Sequence, residues 1–306
     1  MPASLPTRLR TIVTVALLVL VSACARQSAE GEAHGVHTMS PPVSRTTGSV
    51  QGDASLPAGA LDVAPRLARS SRHGEWVMIR TGPTDSVKAW VVFPERATKA
   101  PVVIVVHEIY GLSTWVRGVA DQLAADGFIA IAPDLLTGKV SPSAGMDTLT
   151  QAAASAAIRT LASADVHRQL AAVGAYGMAL PAAERRYGIV GFCWGGSTSF
   201  MHAVTSPPGL GASVVYYGTS PADSLLGRVN VPVLGLYAAD DARVNATIAP
   251  AEVAMRAVGK PYAVHSFAGA GHGFLRQQDG KAGANLTASR QAWPLTLAFF
   301  RTHLGR

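Results

Sequence analysis

Beyond about residue 75 the chain alternates short apolar runs with longer stretches in which apolar residues recur every three or four positions. Residues 76–80 and 87–93 flank Gly82-Pro83-Thr84-Asp85, a pattern that predicts an opening hairpin. Residues 101–106 form a β-branched run of the kind buried on both faces of a parallel sheet. Helical spacing follows over 115–125 and ends at Gly127, before a second buried run, 128–132, that stops at Pro133. Further runs lie at 187–192, 213–217, 233–238 and 262–267, with helical stretches between most of them. This alternation predicts an α/β fold, with helices on both faces of a mostly parallel central sheet, in one domain over residues 69–306.

In such sheets ligands gather beyond the carboxyl ends of the strands. The residues placed there are His107-Glu108, Pro133-Asp134, Cys193, Asp240-Asp241 and His272, nearly all polar or reactive. Cys193 stands in Gly191-Phe192-Cys193-Trp194-Gly195-Gly196, between a strand and a predicted helix over 197–204. That is the nucleophile-elbow pattern G-x-S-x-G with cysteine in place of serine. Its glycines are needed where a strained turn brings backbone against backbone, and the following helix N-terminus favours thiolate over thiol. An elbow nucleophile takes its partners in the chain order acid, then histidine. Asp240-Asp241 and then His272 supply that order, with Asp240 and Asp241 competing for the acid role. His272 would take the thiol proton and later activate water, while the acid fixes its tautomer.

His107-Glu108-Ile109-Tyr110-Gly111 begins like the zincin motif H-E-x-x-H, but Gly111 replaces the second histidine, which removes the metal reading. The backbone N–H groups of Ile109 and Trp194 are the expected oxyanion hole. Glu108, placed beside a thiol, would accept or hold its proton and so tune attack to the arrival of substrate.

The N-terminus reads as address and tether. Arg8 and Arg10 precede an apolar run over 12–21, and Ser22 and Ala23 lead into Cys24, which describes an export signal over 1–23. Residues 26–68 are rich in Ser, Gly, Pro, Ala and Thr without periodicity, as expected of a flexible tether. Val21-Ser22-Ala23-Cys24 resembles the lipobox of bacterial lipoproteins, which implies a lipid on Cys24 and a membrane-anchored protein in the cell envelope. Ala25, with no retention aspartate, resembles the pattern that sorts such proteins to the periplasm-facing outer membrane.

Composition narrows the remaining choices. Of 306 residues 48% are hydrophobic and 15% charged, which supports a full core and excludes a disordered chain. The net charge of +7 is spread without a dense basic cluster, so no nucleic-acid partner is expected. Two cysteines are too few for a disulfide framework.

Taken together, Glu108-Ile109-Tyr110-Gly111, Ala132-Pro133-Asp134-Leu135, the Cys193 elbow, Tyr216-Tyr217-Gly218, Asp241-Ala242-Arg243-Val244 and Gly271-His272-Gly273-Phe274 resemble the dienelactone hydrolase family of α/β-hydrolases. The resemblance implies a triad of Cys193, Asp241 and His272, with Glu108 gating the thiol. It prefers Asp241 because the family acid stands three residues before a valine, here Val244. It implies that Arg276 binds a substrate carboxylate, that Tyr110 and Tyr216 also contact substrate, and that no cofactor is used. The family's second carboxylate-binding arginine has no counterpart in 135–151, where Lys139 stands alone, and the Ala-rich stretch 151–180 suggests helices over the site. The reading is a hydrolase of small acidic esters or lactones acting through a thioacyl intermediate. A non-catalytic envelope lipoprotein that binds a ligand or protein in the same pocket, and a redox-sensing thiol protein, stand as alternatives.

Overall fold

A computed structural model describes residues 53–140 and 149–305. The export signal, Cys24 and the first part of the expected tether lie outside these residues. A short helix, α1 (Val63–Ala68), precedes the hairpin of β1 (Gly74–Arg80) and β2 (Ser86–Val92), after which come β3 (Ala100–Val106), α2 (Thr114–Ala125) and β4 (Ile129–Asp134). Helices α3 (Gln151–Arg159) and α4 (Ser163–Ala179) lead into β5 (Ala183–Phe192), α5 (Trp194–Thr205) and β6 (Leu210–Tyr216). The chain closes with α6 (Asp223–Leu226), β7 (Val233–Asp240), α7 (Ala242–Asn245), α8 (Ile248–Ala257), β8 (Tyr262–Gly271) and α9 (Ala284–Leu304).

The eight strands form one sheet in the order β1-β2-β4-β3-β5-β6-β7-β8. β2 pairs antiparallel with β1 and β4, and every other pair is parallel. Alternation along the strands feeds two apolar layers. In β3, Val103 and Val105 face the layer built by α1, α2 and α9, while Val102, Ile104 and Val106 face α4, α5 and α8. This is the α/β-hydrolase architecture, and it brings the ends of β3, β5, β6, β7 and β8 to one rim.

Three expectations change. β4 runs through Pro133 to Asp134, because its ladder with β3 ends at Ile131 and the missing N–H is not needed beyond that point. The Ala-rich stretch divides its work. α4 lies flat on the sheet, where Gly174 meets the ring of Tyr187 and Gly177 meets Val102 and Ile131. Of the two helices it is α3 that covers the rim, since Ala154 and Ile158 join Leu136 in a small cluster packed against Ile109 and Trp194.

The third change concerns the tether. Residues 53–68 belong to the body, with Leu56, Pro57, Ala58 and Gly59 buried. The Arg66 guanidinium donates to the carbonyls of Asp53, Ala54 and Leu56, and also to the side chain of Gln122 on α2. Small and polar residues spell a flexible segment by composition, but one arginine that gathers three carbonyls, beside one buried leucine, fixes it in place.

Candidate active site

Cys193 caps α5 with φ 56° and ψ −115°, a conformation that costs a non-glycine residue about 1–3 kcal/mol and is held by the contacts around it. Its N–H donates to Tyr216 O at 3.1 Å, and its carbonyl accepts from Ser197 N–H at 3.1 Å. The elbow closes because its glycines lack side chains. A Cβ on Gly191 would stand 1.8 Å from Gly195 O, and one on Gly195 would stand 2.4 Å from Val106 O.

Asp241 begins α7 at the end of β7, and its Oδ2 lies 2.6 Å from Nδ1 of His272, in the turn after β8. Asp240 turns outward to pair with Lys281. Geometry therefore gives Asp241 the place beside the imidazole. Among the described residues no hydrogen bond joins the Cys193 thiol to His272, whose ring instead packs edge-on against Tyr217 at 5.1 Å.

The thiol does not follow the expectation of a helix-stabilised thiolate. Burial, and then the nearby Glu108 charge, push its pKa up to about 11, against opposing contributions from the Trp194 amide and Arg243. Glu108 is itself buried, at 3% exposure, and burial raises its pKa to about 7 although Arg276 pulls it the other way. Arg276 Nε lies 2.7 Å from Glu108 Oε2, a charge contact in which the N–H is not aligned on the oxygen. The same guanidinium lies 4.6 Å from the centroid of the Tyr110 ring and donates to the Tyr110 hydroxyl at 3.3 Å.

His107, used above only to weigh a metal motif, has a structural task at this rim. It is buried, its pKa is lowered by burial to about 4, and its ring stacks on Trp194 at 5.5 Å. A neutral ring at this position donates from Nδ1 to the Glu108 carbonyl at 2.7 Å. In a trans peptide the N–H points opposite to the C=O. This bond therefore sets the direction of the Ile109 N–H, one of the two amides expected to face the oxyanion. Neither that amide nor the Trp194 N–H has a backbone acceptor among the described residues.

Tyr216 does not reach the site. As the last residue of β6 it shares a face with Val214 and Ala212, and its hydroxyl is bonded to Thr296 on α9 at 2.7 Å. The next residue is the one that packs on the site, with its ring 5.1 Å from that of His272. Tyr217 turns at φ 39°, is fully buried, and leaves its hydroxyl without a partner. Its ionisation is opposed by burial and by the Glu108 and Cys193 charges, which places it electrostatically among the site groups. The doubled tyrosine held the signal, but the resemblance does not tell which of the two leaves the strand, and the positive φ of Tyr217 decides it.

Comparison with known proteins gives the family. The profile of the dienelactone hydrolase family matches residues 87–304. A protein of Salmonella typhi named "Putative carboxymethylenebutenolidase" is 28% identical over 268 residues, covering 82% of this chain and 97% of its own. A Bradyrhizobium protein named "Probable 2-oxo-3-(5-oxofuran-2-ylidene)propanoate lactonase" is 30% identical over 245 residues, covering 75% of this chain and 94% of its own. Among solved structures, a "Putative Dienelactone Hydrolase" from Klebsiella pneumoniae superposes with a TM-score of 0.66 at 27% identity, over 76% of this chain and all of the other. With the elbow, the acid–histidine pair and the buried glutamate at one rim, the chain belongs to the dienelactone hydrolase family of α/β-hydrolases.

Proposed function

We propose that this hydrolase cleaves small carboxylic esters or lactones that carry a carboxylate, through a thioacyl-enzyme on Cys193. The observation that carries the proposal is the 2.6 Å Asp241–His272 pair beyond β7 and β8, on the rim where Cys193 stands in an elbow at the end of β5. The thiol turns toward His272, which takes its proton, and sulfur attacks the carbonyl carbon. The oxyanion is held by the Ile109 and Trp194 N–H groups. Collapse breaks the bond to the leaving oxygen, which takes the proton from His272. Water then gives a proton to His272 as it attacks the thioester, the acid product leaves, and the proton returns to sulfur.

Glu108 times the first step. Paired with Arg276 it is an anion beside the thiol and keeps sulfur protonated. A substrate carboxylate that engages Arg276 removes the counter-charge. Glu108, already at about 7, then takes up a proton at neutral pH, and the charge opposing the thiolate is gone. Acidic substrates thereby switch on the nucleophile that consumes them.

p-Nitrophenyl acetate and an enol lactone should turn over with the native protein and lose about 10²-fold or more in rate with Cys193→Ala or His272→Ala. Rates unchanged in both variants would overturn the proposal. Intact mass after rapid quench should show one acyl adduct, absent from Cys193→Ala. The reading also includes export and a lipid on Cys24. Labelled lipid should enter the native protein and not Cys24→Ala, and equal labelling would remove the anchor.

A further inference from the structure

Arg276 occupies an irregular turn between β8 and α9, where no ladder fixes its backbone. The turn is instead held from two sides. From α9, Asn285 accepts from Gly271 N–H at 3.0 Å and donates to Gln277 O at 2.7 Å. From the opposite end of the sequence, Ala60 N–H donates to the carbonyl of Arg276 itself at 2.8 Å. Gln278 donates to Pro57 O at 2.8 Å and to Leu275 O at 3.1 Å. Residues 53–62 are in turn locked by Arg66, which bonds the carbonyls of Asp53 at 3.1 Å, Ala54 at 2.9 Å and Leu56 at 2.7 Å. Arg290 on α9 reaches Asp53 at 3.3 Å.

We infer that residues 53–62 form a strap that positions Arg276, so that the body-proximal end of the N-terminal segment helps to set the enzyme's preference for acidic substrates. The strap precedes residue 87, where the family match begins. Arg276 is gripped at both ends, its carbonyl by Ala60 and its guanidinium by Glu108 and Tyr110. With the backbone held, the side chain is left to move between Glu108 and a substrate carboxylate. Binding groups on loops lose precision when their supporting contacts are removed, and a displacement of about 1 Å is costly for oriented contacts. Gln278 and Arg66 are thus positioning residues that act through Arg276.

The inference rests on Arg276 binding the substrate carboxylate, and the test separates the two. A pair of esters with the same leaving group, one carrying a terminal carboxylate and one the matching methyl, is assayed with full-length native protein, Arg276→Ala, Gln278→Ala and Arg66→Met. In both strap variants the ratio of kcat/KM for the anionic over the neutral ester is expected to fall at least fivefold, with the change carried in KM. Arg66→Met keeps the apolar stem, and each variant is first checked for a cooperative thermal transition; Gln278→Ala removes one half-buried amide with its two bonds to backbone carbonyls and serves if Arg66→Met fails to fold. A selective loss in Arg276→Ala beside an unmoved ratio in the strap variants, or an equal loss for both esters, overturns the strap. If Arg276→Ala itself leaves the ratio unmoved, the carboxylate reading falls and the strap inference falls with it.

Discussion

Cys193 sits under opposing influences, and the balance between them is measurable. Helix position, the Trp194 amide and Arg243 favour the thiolate, while burial and the Glu108 charge oppose it and prevail, to a pKa of about 11. Iodoacetamide should therefore alkylate the resting protein slowly at pH 8, where an ordinary surface thiol near 8.5 is partly ionised. Glu108→Gln removes the second of the opposing causes and should speed alkylation several-fold; a slower reaction would show that Glu108 does not hold the thiol in check. Tyr217 offers a second test. A buried hydroxyl without a partner costs about 1–3 kcal/mol, so Tyr217→Phe should raise the thermal midpoint while lowering kcat on acidic esters. A lowered midpoint would mean that the phenol has a stabilising partner. At this scale the elbow was legible because glycines at fixed offsets are a local requirement. The displaced thiol equilibrium and the Tyr217 hydroxyl were not, because both depend on what packs around them from distant strands.

The same division holds for elements. The strands were found where β-branched runs are continuous, and the order of acid and histidine followed from chain order alone. Asp240 and Asp241 could not be separated by propensity, since either can precede α7. The end of β7 decides it by sending one side chain to His272 and the other to Lys281. Asp241→Asn should cost on the order of 10³–10⁴-fold in kcat, and Asp240→Asn less than about twofold; the reverse order would displace the acid. In α4, composition alone does not show why Gly174 is a glycine. A Cβ there would stand 2.6 Å from the Tyr187 ring, and that ring is held by a 3.0 Å bond between its hydroxyl and His202. Gly174→Ala should destabilise by about 1–3 kcal/mol in urea titration, the usual cost of overpacking. A neutral or stabilising change would show that the helix can shift outward.

Across the whole molecule, buried imidazoles set the response to acid. Burial lowers His107 to about 4 and His202 to about 3, and it lowers His167, whose ring stacks on His202 at 5.6 Å. The unfolded chain takes up these protons near pH 6.5 and the folded chain does not, so stability is lost as pH falls below about 6.5 toward the folded values. Glu108, Asp126 and Asp134, each raised by burial, work in the opposite direction, since the folded state holds their protons more tightly, but the two aspartates start from 3.8 and weigh least in the range where the imidazoles act. The thermal midpoint should therefore fall between pH 6.5 and 5, and His202→Phe should flatten that slope. A midpoint that rises on acidification would contradict the neutral, buried assignment of these rings. None of this was readable from nine histidines scattered along the sequence, because burial is a property of the assembled layers. The ordered strap was missed for a related reason, since the contacts that tie it to Gln278 and Arg290 cross more than 200 positions of sequence.

The cluster of Leu136, Ala154 and Ile158 stands apart from both main apolar layers, yet it packs on Ile109 and Trp194, the two residues proposed to hold the oxyanion. Evolution can resize this roof without touching the foundations. Replacements in α3 can reshape what the enzyme accepts while the sheet and its two cores keep the chain folded, so new substrate ranges should arise there first and the glycine-locked elbow should stay as it is.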